Sequence, residues 1–109
     1  MGMFDSAIKK LQDGKNTTIK PRGNSMRGKV ESGDTVYLEP CPAENLSAGD
    51  VVLVKVKGNT YLHLIKAIKK EKDKLRFQIG NNVGGINGWV GPNAIYGKAI
   101  TIERNGAKE

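Results

Sequence analysis

The residue best suited to chemistry in this sequence is a serine in a glycine-rich loop, GNSMRGKVESGD at residues 23–34. Serine is a weak nucleophile until a base accepts its proton and backbone amides stabilise the oxyanion that forms. Gly23 permits a sharp bend, which can aim consecutive amides at one point. The loop therefore predicts a nucleophile, Ser25, whose base must come from elsewhere in the chain.

Two residues of the stretch YLHLIKAI, at 61–68, are candidates for that base: His63, the only histidine, and Lys66. The pattern favours a strand, and residues three apart on a strand face opposite sides, so we expect only one of them to face the serine. The residues alone do not decide which. A lone histidine among apolar neighbours is also typical of a core residue bonded to a carbonyl, so a structural interpretation of His63 stays open.

The elements that must position these residues are mostly strands. Apolar residues at helical spacing, followed by Gly14, predict one short N-terminal helix within residues 1–14; they are Phe4, Ala7, Ile8 and Leu11. Short β-branched runs separated by Gly, Pro and Asn predict six strands. These are residues 17–21, 35–40, 51–56, 61–68, 75–79 and 94–102.

The chain length of 109 residues suits a single domain. We expect a mostly β fold, with a β core at residues 17–102 and a tail at 103–109. Two stretches, SGDTVYLEP and AGDVVLVKV, each place a Gly-Asp pair before a strand. Glycine permits the turn and aspartate accepts bonds from nearby amides, so we interpret this repetition as shared turn chemistry.

The charge, aromatic content and cysteine count argue against a nucleic-acid-binding protein and against a metal site. The net charge of +7 invites a nucleic-acid interpretation, but the one dense lysine run, KAIKKEKDK at 66–74, is interrupted by acids and predicts a solvated hairpin end. Six scattered aromatic residues do not make a base-stacking platform. The single cysteine, Cys41, excludes an internal disulfide and a multi-cysteine metal site. The sequence predicts no metal and no cofactor.

The sequence resembles the LexA-like and type I signal peptidase superfamily in four stretches that occur in the same order. They are GNSMRGKVESGDTVYLEP, AGDVVLVKV, YLHLIKAI and FQIGNN…GWVGPNAIYGKAITI, which together cover most of residues 17–102. Members carry Gly-x-Ser-Met, two Gly-Asp strands and then a strand that bears the base. The resemblance implies coiled β-sheets that are partly barrel-like.

The resemblance also implies roles for individual residues. Ser25 would be the nucleophile and His63 the base, as in the histidine-type members. Other members use lysine at the position of His63; Lys66 lies three residues beyond it, so the resemblance favours His63 and leaves Lys66 as the alternative base. The amide of Ser25 with that of Gly23 or Asn24 would form the oxyanion site. Met26 would pack along the substrate cleft.

Two asparagines depart from the family pattern. Asn81 and Asn87, in GNNVGGING, stand where the histidine-type members carry aspartates. A carboxylate there would orient the imidazole and stabilise its protonated form, whereas asparagine orients without adding charge. Both are therefore candidate orienting residues, and we expect attenuated activity.

Three functions are consistent with these residues. The first is a soluble, cytoplasmic serine endopeptidase of a bacterial or phage kind, acting on a protein or peptide with a Ser25–His63 dyad. The second is an inactive pseudo-peptidase that binds a peptide or protein partner in the same cleft, and the third is a basic nucleic-acid-binding β-barrel. No apolar run approaches the length that spans a bilayer, so we expect no membrane partner.

Overall fold

Seven strands and one α-helix account for most of the described chain in the computed structural model, which describes residues 4–21, 26 and 28–104. The helix α1 is Asp5–Gln12, and the strands are β1 Thr17–Ile19, β2 Thr35–Glu39, β3 Val51–Val56, β4 Asn59–Glu71, β5 Lys74–Gly80, β6 Ile86–Val90 and β7 Ile95–Glu103. Two 3₁₀ turns, Ala43–Asn45 and Pro92–Ala94, precede β3 and β7. Helix α1 has eight residues, and the described chain holds no helix with the apolar length that crossing a bilayer takes.

All seven strands form one antiparallel sheet, in the order β1-β2-β7-β3-β4-β5-β6. The outermost strands β1 and β6 are not paired with each other, so the sheet does not close into a barrel. This architecture confirms the predicted mostly β fold with one short N-terminal helix.

Alternate side chains of the sheet supply two apolar clusters, one on each face. The first core contains Ala7, Leu11, Ile19, Met26, Val30, Val36, Leu38, Val51, Leu53, Leu62 and Leu64. The second core contains Leu46, Val52, Val54, Val56, Ile65, Phe77, Ile79 and Val90. Because β3 and β4 contribute side chains to both clusters, each strand is packed on both of its faces. These two strands are therefore a rigid support for a site.

Helix α1 covers the first core by packing Leu11 against β7. A Cβ added at Gly97 would lie 2.9 Å from a Leu11 methyl carbon and 2.8 Å from the carbonyl oxygen of Glu39. Only glycine permits this approach of helix to sheet. Glycine in the middle of a strand is thus explained here by packing.

One strand, Ile86–Val90, is not among the six runs that the sequence predicts as strands. This stretch forms β6, which pairs with β5 at the edge of the sheet. It was missed because it holds Asn87 and Gly88 and little apolar alternation. Strand β4 is also longer than predicted, since it runs on to Glu71.

The lysine-rich run forms the end of the β4–β5 hairpin. Lys72 and Asp73 adopt left-handed φ angles of 49° and 67°, as a two-residue hairpin turn requires. A bulge between Ile65 and Ala67 interrupts the β4–β5 register. Ile65 belongs to the second core and Ile68 packs against the same cluster, although they are three residues apart. Lys66 and Ala67 between them therefore face away from the second core.

Candidate functional site

The predicted nucleophile Ser25, with the predicted oxyanion residues Gly23 and Asn24, lies outside the described residues, so its role stays a prediction. Met26, the next residue, is described. Its side chain is only 4% exposed and packs in the first core, and its carbonyl accepts bonds from the amides of Lys29 and Val30. The residue that follows Ser25 in the chain is thus anchored in the first core, while the predicted role of Met26 in lining a substrate cleft stays a prediction.

Carboxylates fix the backbone of the second part of this loop, residues 28–34. The Gly28 amide donates to Glu31 Oε2 at 2.8 Å, and the Glu31 amide donates to Asp34 Oδ2 at 2.8 Å. Asp34 is 1% exposed and also accepts from Arg104 Nη1 at 3.0 Å. The Gly33 amide donates to the carbonyl of Pro21 at 3.0 Å, which holds the two ends of the loop segment together.

His63 lies in the middle of β4, where it pairs with Val52 of β3. It is 5% exposed, and its ring stacks on Tyr61 with a centroid separation of 4.6 Å and an interplanar angle of 13°. Its Nδ1 lies 2.8 Å from Oδ1 of Asn87 in β6. An amide oxygen only accepts, so Nδ1 carries the proton and the acceptor lone pair of the neutral ring is on Nε2.

Burial lowers the pKa of His63 below the ordinary 6.5, and the hydrogen bond to Asn87 opposes that shift in part. Burial favours the neutral ring because the imidazolium loses hydration. The ring is therefore neutral at pH 7, with the tautomer fixed by Asn87. A neutral imidazole with an acceptor on Nε2 is the form that a general base requires.

The two asparagines have different environments. Asn87 bonds the imidazole, as its prediction as an orienting residue requires. Asn81 instead accepts from the amides of Val83 and Gly85, at 3.0 and 2.7 Å, within its own turn. In this arrangement Asn81 stabilises the turn before β6, and only Asn87 reaches His63.

Lys66, the alternative base, lies on the other face of the sheet from His63. A Cβ built on Gly80 would lie 3.0 Å from Lys66 Cε, so the lysine side chain crosses Gly80. Gly80 pairs with Leu64, a first-core residue, whereas His63 pairs with Val52 of the second core. Paired residues share a face, so the two candidate bases are separated by the sheet.

The described end of the serine loop lies against the turn that joins β5 to β6. A Cβ added at Gly28 would lie 3.0 Å from Nδ2 of Asn82 in that turn. Asn87, the partner of His63, follows five residues later in the chain. The loop is therefore next to the segment that carries the partner of the imidazole.

Tyr61 is the residue of this site that sequence reasoning missed. The only available signal was its position two residues before His63 in a strand, which places both side chains on one face. Stacking on Tyr61 restricts the tilt of the imidazole plane, and the hydrogen bond to Asn87 fixes the direction in which Nδ1 points. Together they hold the ring in one orientation.

Comparison with known proteins supplies one finding. The family model described as peptidase S24-like matches residues 3–84, which is most of the chain. The matched segment contains Ser25, His63 and Lys66 and ends before Asn87. No curated protein matches the chain.

Proposed function

Because the chain belongs to the peptidase S24-like family, we propose that it is a serine endopeptidase with Ser25 as nucleophile and His63 as general base. The observation that carries the proposal is the hydrogen bond between His63 Nδ1 and Asn87 Oδ1. It supports the base assignment because it fixes the tautomer in which Nε2 accepts a proton.

The proposed reaction is acyl transfer in two halves. The Ser25 hydroxyl gives its proton to His63 Nε2 as Oγ bonds to the scissile carbonyl carbon, and the amide of Ser25 with that of Gly23 or Asn24 stabilises the oxyanion. The imidazolium then protonates the leaving amine as the C–N bond breaks. In the second half His63 removes a proton from water as the water oxygen bonds to the acyl carbon. The bond from that carbon to Ser25 Oγ then breaks, the imidazolium returns its proton to Oγ, and the acid product leaves.

Asn87 sets the expected rate. In a Ser-His-Asp triad, replacing the aspartate by asparagine lowers kcat about 10⁴-fold, in part because the histidine then takes the wrong tautomer. Here Oδ1 of Asn87 faces Nδ1, so the tautomer is the productive one. The missing contribution is the negative charge, and we expect an enzyme that is slow but active.

A pseudo-peptidase that binds a peptide is the second candidate, and the same asparagine favours it. Asn87 adds no charge to stabilise an imidazolium, and burial also disfavours that cation. If these two effects suppress proton transfer altogether, the cleft retains binding without cleavage.

The first test is labelling by a fluorophosphonate probe, followed by intact-mass measurement. We expect one adduct on the wild type, none on Ser25→Ala, and a loss of labelling rate of about 10²-fold or more on His63→Ala. Ser47→Ala, at an exposed serine, is the matched control for the nucleophile, and Lys55→Ala is the control for Lys66→Ala.

Each variant separates one alternative. Labelling that survives His63→Ala but is lost in Lys66→Ala transfers the role of base to the lysine. No Ser25-dependent adduct and no Ser25-dependent cleavage of unstructured peptides, at any pH between 5 and 10, would leave the peptide-binding function as the better account.

A further inference from the structure

A solvent-facing surface of β4, β5 and β6 lies opposite the second core. Phe77 and Val90 pair with each other and are both buried in that core. Their chain neighbours Gln78 and Trp89 also pair with each other, so both lie on the opposite face. We call this surface the basic face and define it by Lys69, Lys74, Arg76, Gln78 and Trp89.

The basic face brings like charges together. Lys69 and Arg76 stand directly opposite each other in the β4–β5 ladder, an arrangement that is destabilising for like charges. One carboxylate, Glu71, offsets this repulsion, with its Oε1 3.7 Å from Arg76 Nε. Lys74, which pairs with Glu71, adds a third cation. The face therefore keeps an excess of positive charge that a bound carboxylate would neutralise.

Exposed apolar side chains adjoin these charges on β6. Trp89 is 41% exposed, with Lys69 Nζ 4.5 Å from its ring centroid, and Ile86 is 56% exposed. Because β6 is the last strand of the sheet, its outer edge pairs with no other described strand. An unpaired edge beside exposed apolar side chains is a surface to which an extended peptide can add as a strand.

We propose that the basic face selects a peptide substrate with acidic side chains, whose backbone lies along β6. The proposal rests on the peptidase function above and names the substrate class of that site. Trp89 follows Asn87 by two residues in the same strand, so a peptide on this edge passes close to the partner of His63. Glutamate or aspartate side chains then reach Lys69 and Arg76 across the Trp89 ring.

The surface fits an acidic peptide better than a nucleic acid. A single-strand nucleic-acid site uses several aromatic side chains on which successive bases stack, whereas this face has one. The unpaired outer edge of β6 can form ladder hydrogen bonds with the backbone of a peptide. A nucleic acid has no such backbone and cannot extend the sheet.

The single tryptophan of the chain supplies the test, because tryptophan fluorescence excited selectively, where the three tyrosines do not absorb, reports on this face. Ser25→Ala protein, which cannot turn over substrate, is titrated with a Glu-rich peptide and with a peptide carrying Gln in place of every Glu, neither containing Trp or Tyr. We expect a Trp89 signal change and roughly tenfold tighter binding of the Glu-rich peptide, as two surface ion pairs would provide.

Charge variants locate the effect. Lys69→Gln/Arg76→Gln should reduce the preference for the Glu-rich peptide to about twofold or less, whereas Lys10→Gln/Lys55→Gln, at exposed lysines elsewhere, should leave it intact. In protein that retains Ser25, Lys69→Gln/Arg76→Gln should slow cleavage of the Glu-rich peptide and leave cleavage of the Gln-substituted peptide unchanged.

Two results would overturn the inference. The first is equal binding of the Glu-rich and Gln-substituted peptides, and the second is tighter binding of oligothymidylate than of the Glu-rich peptide. A failed peptidase function gives a different pattern: the Glu-rich peptide still binds, and no peptide is cleaved by the Ser25 protein. Equal binding of the two peptides together with Ser25-dependent cleavage of both would leave the peptidase function standing and remove only this inference.

Discussion

The turn before β2 and the turn before β3 have the same backbone and different surroundings. In each, a glycine adopts a left-handed φ, 89° at Gly33 and 98° at Gly49. In each, the aspartate that follows accepts a 2.8 Å bond from the amide three residues earlier. Asp34 is 1% exposed and lies 3.0 Å from Arg104, whereas the side chain of Asp50 is 20% exposed and lies 3.7 Å from Lys98.

This difference assigns a separate task to each turn. The first, through Asp34 and Glu31, fixes the second part of the serine loop, residues 28–34. The second fixes β4, since the Gly49 amide donates to Ile65 O at 2.7 Å and the Ile65 amide donates to Asp50 O at 2.9 Å. Ile65 is two residues from His63. One turn thus supports the candidate nucleophile side and the other supports the candidate base.

The largest expected effect is the contrast between Asp34→Ala and Asp50→Ala. Asp34→Ala removes from a buried position the acceptor that the Glu31 amide and Arg104 bond, so we expect a loss of about 2–4 kcal/mol in the free energy of unfolding. Asp50→Ala removes one such bond and a partly exposed ion pair, and we expect about 1 kcal/mol. Urea denaturation followed by Trp89 fluorescence measures both.

Labelling rates sharpen the same contrast. Asp34→Ala should also slow the reaction of Ser25 with the fluorophosphonate probe under conditions where the variant is folded, because the serine loop loses its tether. Asp34→Asn, which keeps one carbonyl acceptor for the Glu31 amide, should recover part of both losses. Equal destabilisation by Asp34→Ala and Asp50→Ala would show that the surroundings of the two turns do not matter.

The shared backbone of these turns could be predicted from sequence, and their different surroundings could not. Gly-Asp before a strand indicates a left-handed glycine and an aspartate that bonds a nearby amide, and both turns have this form. The partner of Asp34 is Arg104, 70 residues later, and it depends on β2 and β7 being neighbours in the sheet. Local propensity carries no information on such a contact.

The next effect in size is the contrast between Arg104→Gln and Lys98→Gln. Arg104→Gln removes the guanidinium that lies 3.0 Å from the buried carboxylate of Asp34, so we expect a loss of about 1–2 kcal/mol in the free energy of unfolding. Lys98→Gln breaks a 3.7 Å pair near the surface, with an expected loss below about 0.5 kcal/mol. Thermal unfolding monitored by circular dichroism measures the two.

The dependence of stability on salt concentration distinguishes these two ion pairs further. High salt screens the 3.7 Å Lys98–Asp50 pair more than the 3.0 Å Arg104–Asp34 pair, whose carboxylate is buried, so the Arg104→Gln effect should persist at 1 M NaCl. Arg104→Lys, which keeps the charge but changes the donor geometry, should recover only part of it. An Arg104→Gln effect that disappears in salt would place this pair with the surface contacts.

The candidate site shows the same division between local and distant information. The strand that carries His63 could be predicted from the run of apolar residues, and β4 confirms it. Which asparagine reaches the imidazole could not, because Asn81 bonds its own turn and Asn87 lies at an irregularity in the β5–β6 ladder. The bulge beside Lys66 was equally hidden, since a register shift depends on both paired strands.

The smallest expected effect concerns pH, and it distinguishes the two halves of the site. Burial lowers the pKa of His63, so on acidification the unfolded chain binds a proton near pH 6.5 that the folded chain still refuses. The free energy of unfolding should therefore fall as the pH drops through 6.5 toward the folded pKa. In His63→Gln this part of the pH dependence should be missing.

Activity should follow the same titration. We expect the rate of Ser25 labelling to rise with pH, with a midpoint below 6.5, and to stay level above pH 7 because His63 is then neutral. Asn87→Asp places a carboxylate next to Nδ1, so the midpoint should move upward and the plateau rate should increase. Asp34→Ala acts on the other half of the site, and it should lower the plateau without moving the midpoint. The His63 ring protons, followed by NMR across the same pH range, check the assignment: a midpoint that does not match the imidazole titration, or that Asn87→Asp leaves in place, would remove His63 from the role of base.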